Sequence, residues 1–261
     1  MATFSPECLR EQTILITGGL GGIGEVLVEH LLRYSARVLV SDVLPDGEAS
    51  TRLKRKGWPQ DRCRYCHTDV RETSSVQRLV ETAINCFGGL DVALCHAGIV
   101  SSKPILSVND DEWAATLDVN LKGAFLVAQA AARDMILRGR RGKIIFTSSW
   151  VQDVPWPEIT PYSVSKSGMK MLMRGMAREL ASKGIRVNAV APGIVSVGMA
   201  KRQWNTDPDY HRRAEKAVPL GFLQPPESVA DAVVFLCSGA SDYMTGATLL
   251  VDGGCSLYPM D

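Results

Sequence analysis

Tyr162 and Lys166 stand four residues apart in the run Pro161-Tyr162-Ser163-Val164-Ser165-Lys166. On a helix that spacing puts both side chains on one face. A tyrosine hydroxyl ionises near pH ~10 and is a poor base at neutral pH. A neighbouring ammonium, joined by an oxidised nicotinamide, favours the phenolate and lowers that value. A tyrosine so tuned takes the proton of an alcohol while hydride leaves the carbon, and returns it when a carbonyl is reduced. Ser149 lies thirteen residues before Tyr162, where its hydroxyl can orient the reacting oxygen. Alone, a Tyr-x-x-x-Lys pair is weak evidence, because a chain of this size can hold one by chance.

Hydride chemistry requires a carrier, and the first half of the chain holds a place for one. Thr17-Gly18-Gly19-Leu20-Gly21-Gly22-Ile23-Gly24 runs directly into an amphipathic segment. Such a loop must turn tightly, and a backbone without Cβ lets a pyrophosphate approach the amides. The N–H groups and positive dipole end of the following helix then hold the phosphates. Eighteen residues past Gly24, Asp42 closes the second apolar run. An acid there accepts hydrogen bonds from both ribose hydroxyls and repels a 2′-phosphate, which favours NAD. Arg37 and Arg52 are the side chains that could swing toward a phosphate instead, so NADP stays open. Asp69-Val70 follows the third run, where a carboxylate and a backbone group can hold an adenine edge.

These residues need a scaffold, and short apolar runs alternating with amphipathic segments supply one. Strands are expected at Thr13–Thr17, Arg37–Ser41, Arg62–Thr68, Asp91–His96, Gly142–Ser148, Arg186–Ala191 and Thr248–Asp252. They lack strict alternation, as strands covered on both faces do. Helices are expected at Gly22–Tyr34, Gly47–Lys56, Thr73–Phe87, Asp110–Arg138, Pro161–Ser182 and Glu227–Cys237, the fifth capped by Thr160 and stopped by Gly184. This alternation predicts one α/β domain over residues 1–261, a doubly wound parallel sheet of Rossmann type with seven strands ordered 3-2-1-4-5-6-7. Ser149 then closes strand five at the carboxyl edge, where open α/β sheets bind ligands. The polar stretch 197–221, with Trp204 and Tyr210, is long for a connection and is read as a substrate lid.

On these motifs the chain resembles the short-chain dehydrogenase/reductase family over nearly all its length. Thr17-Gly18-x-x-x-Gly22-x-Gly24 matches the family's nucleotide loop, Tyr162-x-x-x-Lys166 its catalytic pair and Ser149 its serine. The resemblance implies that Asn120, in Val119-Asn120-Leu121-Lys122-Gly123, completes a catalytic tetrad and supports a water-linked proton path to the lysine. It also implies that Lys166 binds the nicotinamide ribose and that Pro192, Gly193 and Val195 lie beside the nicotinamide. Two departures stand out. Cys95-His96-Ala97-Gly98 replaces the usual Asn-Asn-Ala-Gly, keeping Ala97 and Gly98 against the cofactor but losing the asparagine contacts behind strand four. A packed or hydrogen-bonded histidine is expected at His96. Val197, preceded by Ser196, stands where a threonine usually touches the carboxamide, so backbone groups are expected to hold it.

Within the family the chain looks most like bacterial glucose 1-dehydrogenases, on Pro155-Trp156-Pro157, Ser167-Gly168-Met169-Lys170 and the tail Asp252-Gly253-Gly254-Cys255-Ser256-Leu257-Tyr258-Pro259. A sugar or polyol is the implied substrate, with Trp150, Gln152 and Trp156, joined by Asp153 and Glu158, as its expected polar and aromatic lining. One alternative is a 3-oxoacyl carrier-protein reductase, with Arg138, Arg140, Arg141 and Lys183 meeting an acidic carrier. Another is a non-catalytic NAD-binding regulator or scaffold, against which the intact tetrad argues.

A net charge of +1 gives no nucleic-acid footprint. No apolar run reaches the roughly 20 residues of a membrane span, and the N-terminus lacks the pattern of a signal peptide; a cytoplasmic protein is expected. Seven scattered cysteines read as reduced thiols. Cys63-x-x-Cys66-His67 invites a zinc reading, but residues three apart on a strand face opposite ways, so no metal is expected. Apolar residues on more than one face of the long helices (Phe125, Met135, Met169, Met173, Met176) suit a homo-oligomer, by family resemblance a homotetramer.

Overall fold

All five residues of the first strand, Thr13–Thr17, are buried, because layers of helices cover both faces of the sheet it belongs to. The structure is a computed structural model in which residues 4–257 are described; Tyr258 and Pro259 of the tail lie outside them. The strands are β1 (Thr13–Thr17), β2 (Arg37–Asp42), β3 (Cys63–His67), β4 (Val92–Cys95), β5 (Lys143–Thr147), β6 (Arg186–Pro192) and β7 (Thr248–Val251). They pair in parallel in the order β3-β2-β1-β4-β5-β6-β7, the predicted doubly wound sheet, and their bounds fall within one residue of those expected.

The helices are α1 (Gly22–Arg33), α2 (Asp46–Lys56), α3 (Thr73–Phe87), α4 (Asp110–Leu117), α5 (Ala124–Leu137), α6 (Thr160–Leu180), α7 (Gly198–Thr206), α8 (Pro208–Ala217) and α9 (Pro226–Cys237). Period-two alternation sorts the strand side chains between two cores. Ile14 and Ile16 of β1 pack with α1, α2 and α9, whereas Leu15 packs with α3, α5 and α6. Each such fully buried aliphatic side chain contributes on the order of 1.5–3 kcal/mol. Cys63 belongs to the first core and Cys66 packs against the second; their sulfurs do face opposite sides of the sheet. Met135, Met169 and Met173 are wholly buried in the second core. Phe125, as expected, is exposed, and so are Ile136 and Leu137 of α5 and Val164 and Met171 of α6.

Local sequence explains most helix ends. Asn109 and Glu112 form a reciprocal capping box at α4, and Gly57 and Gly88 close α2 and α3 with positive φ. Three expectations are corrected. Thr160 is the first residue of α6 and not its cap; Ile159 holds that position without a side-chain bond. The helix passes through a short 3-10 turn, Ala181–Lys183, before Gly184 (φ 75°) stops it. The single helix expected over Asp110–Arg138 is interrupted by a π-helical turn at Asp118–Gly123. Asn120 is tied there by both amide atoms to the backbone of Ile99, and a Cβ on Gly123 would meet Val70 at 2.6 Å. Both anchors pull one wide turn out of the regular spiral, a device common where helices meet functional sites. The stretch 197–221 holds α7 and α8, followed by a turn at Gly221 with φ 78°.

Candidate active site

A parallel sheet brings the carboxyl ends of all its strands to one edge. The residues that follow β1, β2, β4, β5 and β6 there line a single cavity of about 670 Å³, in the range of small-ligand sites. Ser149, Tyr162 and Lys166 line it together with Ala97, Gly98, Pro192, Gly193 and Val195. So do Gly18, Gly22, Ile23, Asp42, Asp69 and Val70. Sequence positions more than 170 residues apart thus meet in one space.

Lys166 is buried, and its Nζ donates to the Thr147 carbonyl oxygen at 2.7 Å. The same Nζ lies 5.4 Å from the centre of the Tyr162 ring, as four-residue helical spacing requires. Tyr162 and Ser149 face each other across the cavity wall, and Ser149 Oγ accepts the Val151 N–H at 3.4 Å. Burial lowers Lys166 to about 8. Burial also pushes the Tyr162 phenol above its ordinary value, and the Ser149 hydroxyl only partly opposes this. The two side chains alone therefore do not make the phenolate that the spacing suggested; further positive charge beside the ring is needed.

Asn120 does not line the cavity. It stands behind it, where a Cβ on Gly98 would lie 3.4 Å from Asn120 Oδ1 and 3.8 Å from Lys166 Nζ. Its Nδ2 also donates to Ser165 Oγ at 3.1 Å. Thr17 and Gly24 are likewise behind the lining. Thr17 Oγ1 accepts the backbone N–H groups of His96 and Ala97, each at 3.1 Å, and so stitches the β1 loop to the β4 loop. His96 completes that seam, its Nδ1 3.1 Å from Thr147 Oγ1. Burial, reinforced by the Lys166 charge, lowers the imidazole from its ordinary 6.5 to about 4. It is a neutral, hydrogen-bonded histidine in place of the usual asparagine.

A dinucleotide fits the opposite end. Gly21 caps α1 without a side-chain bond, which leaves the first N–H groups of the helix open at the cavity edge. Gly18 has φ 68°, and a Cβ there would press on the Ala97 backbone at 2.8 Å. Asp42 Oδ2 accepts the Leu20 N–H at 3.1 Å and Oδ1 the Val43 N–H at 2.8 Å, so the carboxylate is fixed with lone pairs to spare. Arg37 is corrected: it sits at the amino end of β2, bonded to the Glu11 carbonyl. Arg52 donates to the Leu20 carbonyl at 2.9 Å and is flanked by Glu25 and Glu48. Asp69 lines the cavity, but Arg71 grips both its carboxylate oxygens and holds it below the usual range.

The third region is aromatic. Trp150 and Trp156 line the cavity as expected, edge to face at 5.4 Å, and Trp156 meets Tyr210 of α8 at 6.1 Å. Gln152 is corrected: it is buried beneath the wall, accepting from Ser148 Oγ at 2.8 Å and donating to Asp153 at 3.1 Å. Asp153 is paired with Lys170, and neither it nor Glu158 reaches the cavity. In their place α7 and α8 contribute Gln203, Tyr210 and Arg213. The polar character and length of residues 197–221 were the only sequence signals for this wall.

The family model described as Enoyl-(Acyl carrier protein) reductase matches residues 18–256. A 3beta-hydroxysteroid dehydrogenase 1 of Eggerthella lenta is 32% identical over 96% of either chain. Glucose 1-dehydrogenase 2 of Bacillus subtilis is 35% identical over 96% of this chain and 97% of its own. The chain belongs to the short-chain dehydrogenase/reductase family. A gluconate 5-dehydrogenase from Burkholderia cenocepacia, solved with NADP and tartrate, superposes on this short-chain dehydrogenase/reductase with a TM-score of 0.88. It is 33% identical, covering 97% of this chain and 98% of the other. The enzyme is an NAD(P)-dependent oxidoreductase of secondary alcohols.

Gln224 is a site residue that sequence reasoning missed. Its Oε1 accepts the Gly193 N–H at 2.8 Å, and its backbone bonds Ile194 and Ser196. It clamps the turn that carries Val195 and Val197, where the family threonine is absent. The basic cluster considered for an acidic carrier lies elsewhere. Arg140 pairs with Asp91 and Arg138 with Asp134, at the amino edge of the sheet.

Proposed function

We propose that this short-chain dehydrogenase/reductase oxidises a secondary hydroxyl of a sugar or polyol with NAD. The observation that carries the reading is that Ser149, Tyr162 and buried Lys166 line the same cavity as Asp42 and the glycine loop. When bound, the oxidised nicotinamide supplies the hydride acceptor. Ser149 orients the substrate hydroxyl and Tyr162 takes its proton; the C–H bond breaks with its electron pair and a C=O bond forms. Lys166 supplies the charge that favours the phenolate and holds the nicotinamide ribose, and Asn120 supports the proton path to Lys166. The glycine loop, Asp42 and Asp69-Val70 hold the pyrophosphate and adenosine, and Pro192 to Val195 the nicotinamide. Residues 197–221 act as the lid of one domain spanning 1–261. Nicotinamide absorbance with a panel of sugars, polyols, secondary alcohols and ketones, run with NAD(H) and NADP(H), tests this. Reduction of NAD by sugars or polyols is expected, and turnover confined to acyl thioesters with NADPH would sink it.

Cofactor choice follows from Asp42, whose two fixed oxygens suit ribose hydroxyls. Asp42→Ala removes hydrogen bonds to a charged acceptor, about 1.5–3 kcal/mol each. A fall in kcat/KM with NAD of roughly 10–100-fold is expected, with a smaller change for NADP. An unchanged ratio of the two would reject the assignment. We also propose that the outer faces of α5 and α6, with exposed Phe125, Val164 and Met171, bury against sister subunits in a homotetramer. A monomer in light scattering at micromolar concentration would contradict this.

A further inference from the structure

Arg213 is the cation of the substrate end of the cavity, and no acid among the described residues pairs with it. Its guanidinium carbon lies 5.3 Å from the centre of the Trp156 ring, which it overlies. Its Nε is buried without a hydrogen-bond partner, and among the described residues no ion pair involves it. Arg212, its neighbour, is exposed and satisfied by Asp209. The contrast matters because a buried donor without an acceptor costs on the order of 1–3 kcal/mol. A carboxylate bound in the cavity would supply that acceptor. The group stands in the cavity that Ser149 and Tyr162 line, on a helix whose Tyr210, Ala214 and Ala217 are packed against Trp150 and Trp156. That packing fixes the guanidinium in place before a ligand arrives.

We infer that Arg213 is a specificity residue that binds a carboxylate on the substrate, so that the enzyme acts on hydroxy or oxo acids of the sugar-acid class. The inference rests on the proposed alcohol oxidation and narrows its substrate. A planar guanidinium presents paired N–H donors that match a carboxylate. The Trp156 ring face attracts the cation from one side, and no carboxylate among the described residues occupies its N–H groups. One end of the substrate is then anchored at Arg213 and its hydroxyl is left toward Ser149 and Tyr162. Neutral polyols lack the anchor.

The test compares D-gluconate with D-glucitol, which differ by a carboxylate in place of a terminal CH2OH. The wild type is expected to show the higher kcat/KM on gluconate. In Arg213→Gln the ratio of kcat/KM for gluconate to that for glucitol falls by at least about tenfold, the worth of one charge-assisted hydrogen bond. Arg213→Lys recovers part of it, and Arg212→Gln leaves it unchanged. Circular dichroism and the melting temperature of each variant show that α8 is retained. Calorimetric titration of the NAD-loaded protein with sodium gluconate, and separately with inorganic phosphate, reads the anchor even without turnover. Gluconate binding weakened by Arg213→Gln supports it. Equal gluconate binding by wild type and Arg213→Gln, an unchanged ratio, or tighter binding of phosphate than of gluconate overturns it. Loss of all turnover with gluconate binding still dependent on Arg213 would reject the oxidation and keep the anchor.

Discussion

Replacing Tyr162 by phenylalanine lowers kcat/KM for alcohol oxidation by about 10²–10⁴-fold, the usual contribution of a positioned proton acceptor. In free energy this is about 3–5 kcal/mol of transition-state stabilisation. The substitution removes only the hydroxyl; the ring keeps its place beside Trp150 and Trp156 in the small third core. Cofactor affinity should hardly move, since the glycine loop and Asp42 lie at the other end of the cavity. The pH profile separates this from a packing defect. Oxidation needs the deprotonated tyrosine, so its rate is high at alkaline pH and lost as the pH falls. Burial, which raises the phenol, moves that loss to higher pH, whereas Lys166, lowered to about 8, gives up its proton at lower pH than the phenol does. The residual rate of the phenylalanine variant should lack this tyrosine-dependent rise. Stopped assays from about pH 6 to about pH 11, a range that passes the ordinary tyrosine value, would show it. A variant that kept most of its activity would take the proton-transfer role away from Tyr162; a wild type without turnover on any alcohol or ketone would revive the regulator or scaffold reading.

A single methyl group on Gly24 should nearly abolish cofactor binding. A Cβ there would lie 2.2 Å from the Gly18 carbonyl oxygen and 2.9 Å from the Gly19 carbonyl carbon and Cα. All three are backbone atoms, which cannot swing aside as the tip of a side chain can. The first turn of α1 must therefore move away from the loop, carrying its open N–H groups out of register with a pyrophosphate. Each lost bond to a charged acceptor costs about 1.5–3 kcal/mol, so affinity should fall about 10–100-fold or more. Overpacking adds a loss of stability of roughly 1–3 kcal/mol. Gly47→Ala is the control, because a Cβ at Gly47 meets nothing within 4 Å and helix α2 gains a better helix former. Fluorescence titration with NAD(H) and thermal unfolding read the two effects separately. Unchanged affinity in Gly24→Ala would mean that the loop does not hold the pyrophosphate as described.

Much of this molecule is written in short-range spacing. The order of the sheet follows from apolar runs alternating with helix-length segments, because right-handed crossovers leave few ways to lay parallel strands side by side. The glycine loop and the Tyr162–Lys166 pair are equally local: each lies within one turn or one helix, so spacing alone fixes which groups face together. Asp42 was legible because it ends a strand beside that loop. The departures Cys95-His96 and Val197 were visible too, but not what replaced the lost contacts. The His96–Thr147 bond and the Gln224 clamp join segments distant in sequence, and no local pattern marks such partners.

The substrate wall belongs to tertiary structure. Trp150 and Gln152 share one 3-10 turn, yet one faces the cavity and the other is buried beneath it. Irregular turns have no period from which to tell the two apart. Tyr210 and Arg213 reach the cavity because α8 docks on Trp156, some fifty residues away in sequence. The π-helical turn at Asn120 likewise depends on Ile99 and Val70 pressing on the chain from other elements. Local spacing determined the glycine loop and the Tyr162–Lys166 pair, since their geometry is set by bonds within a single element. Packing between elements decided the shape and charge of the substrate pocket, since no side chain there owes its direction to its own segment alone.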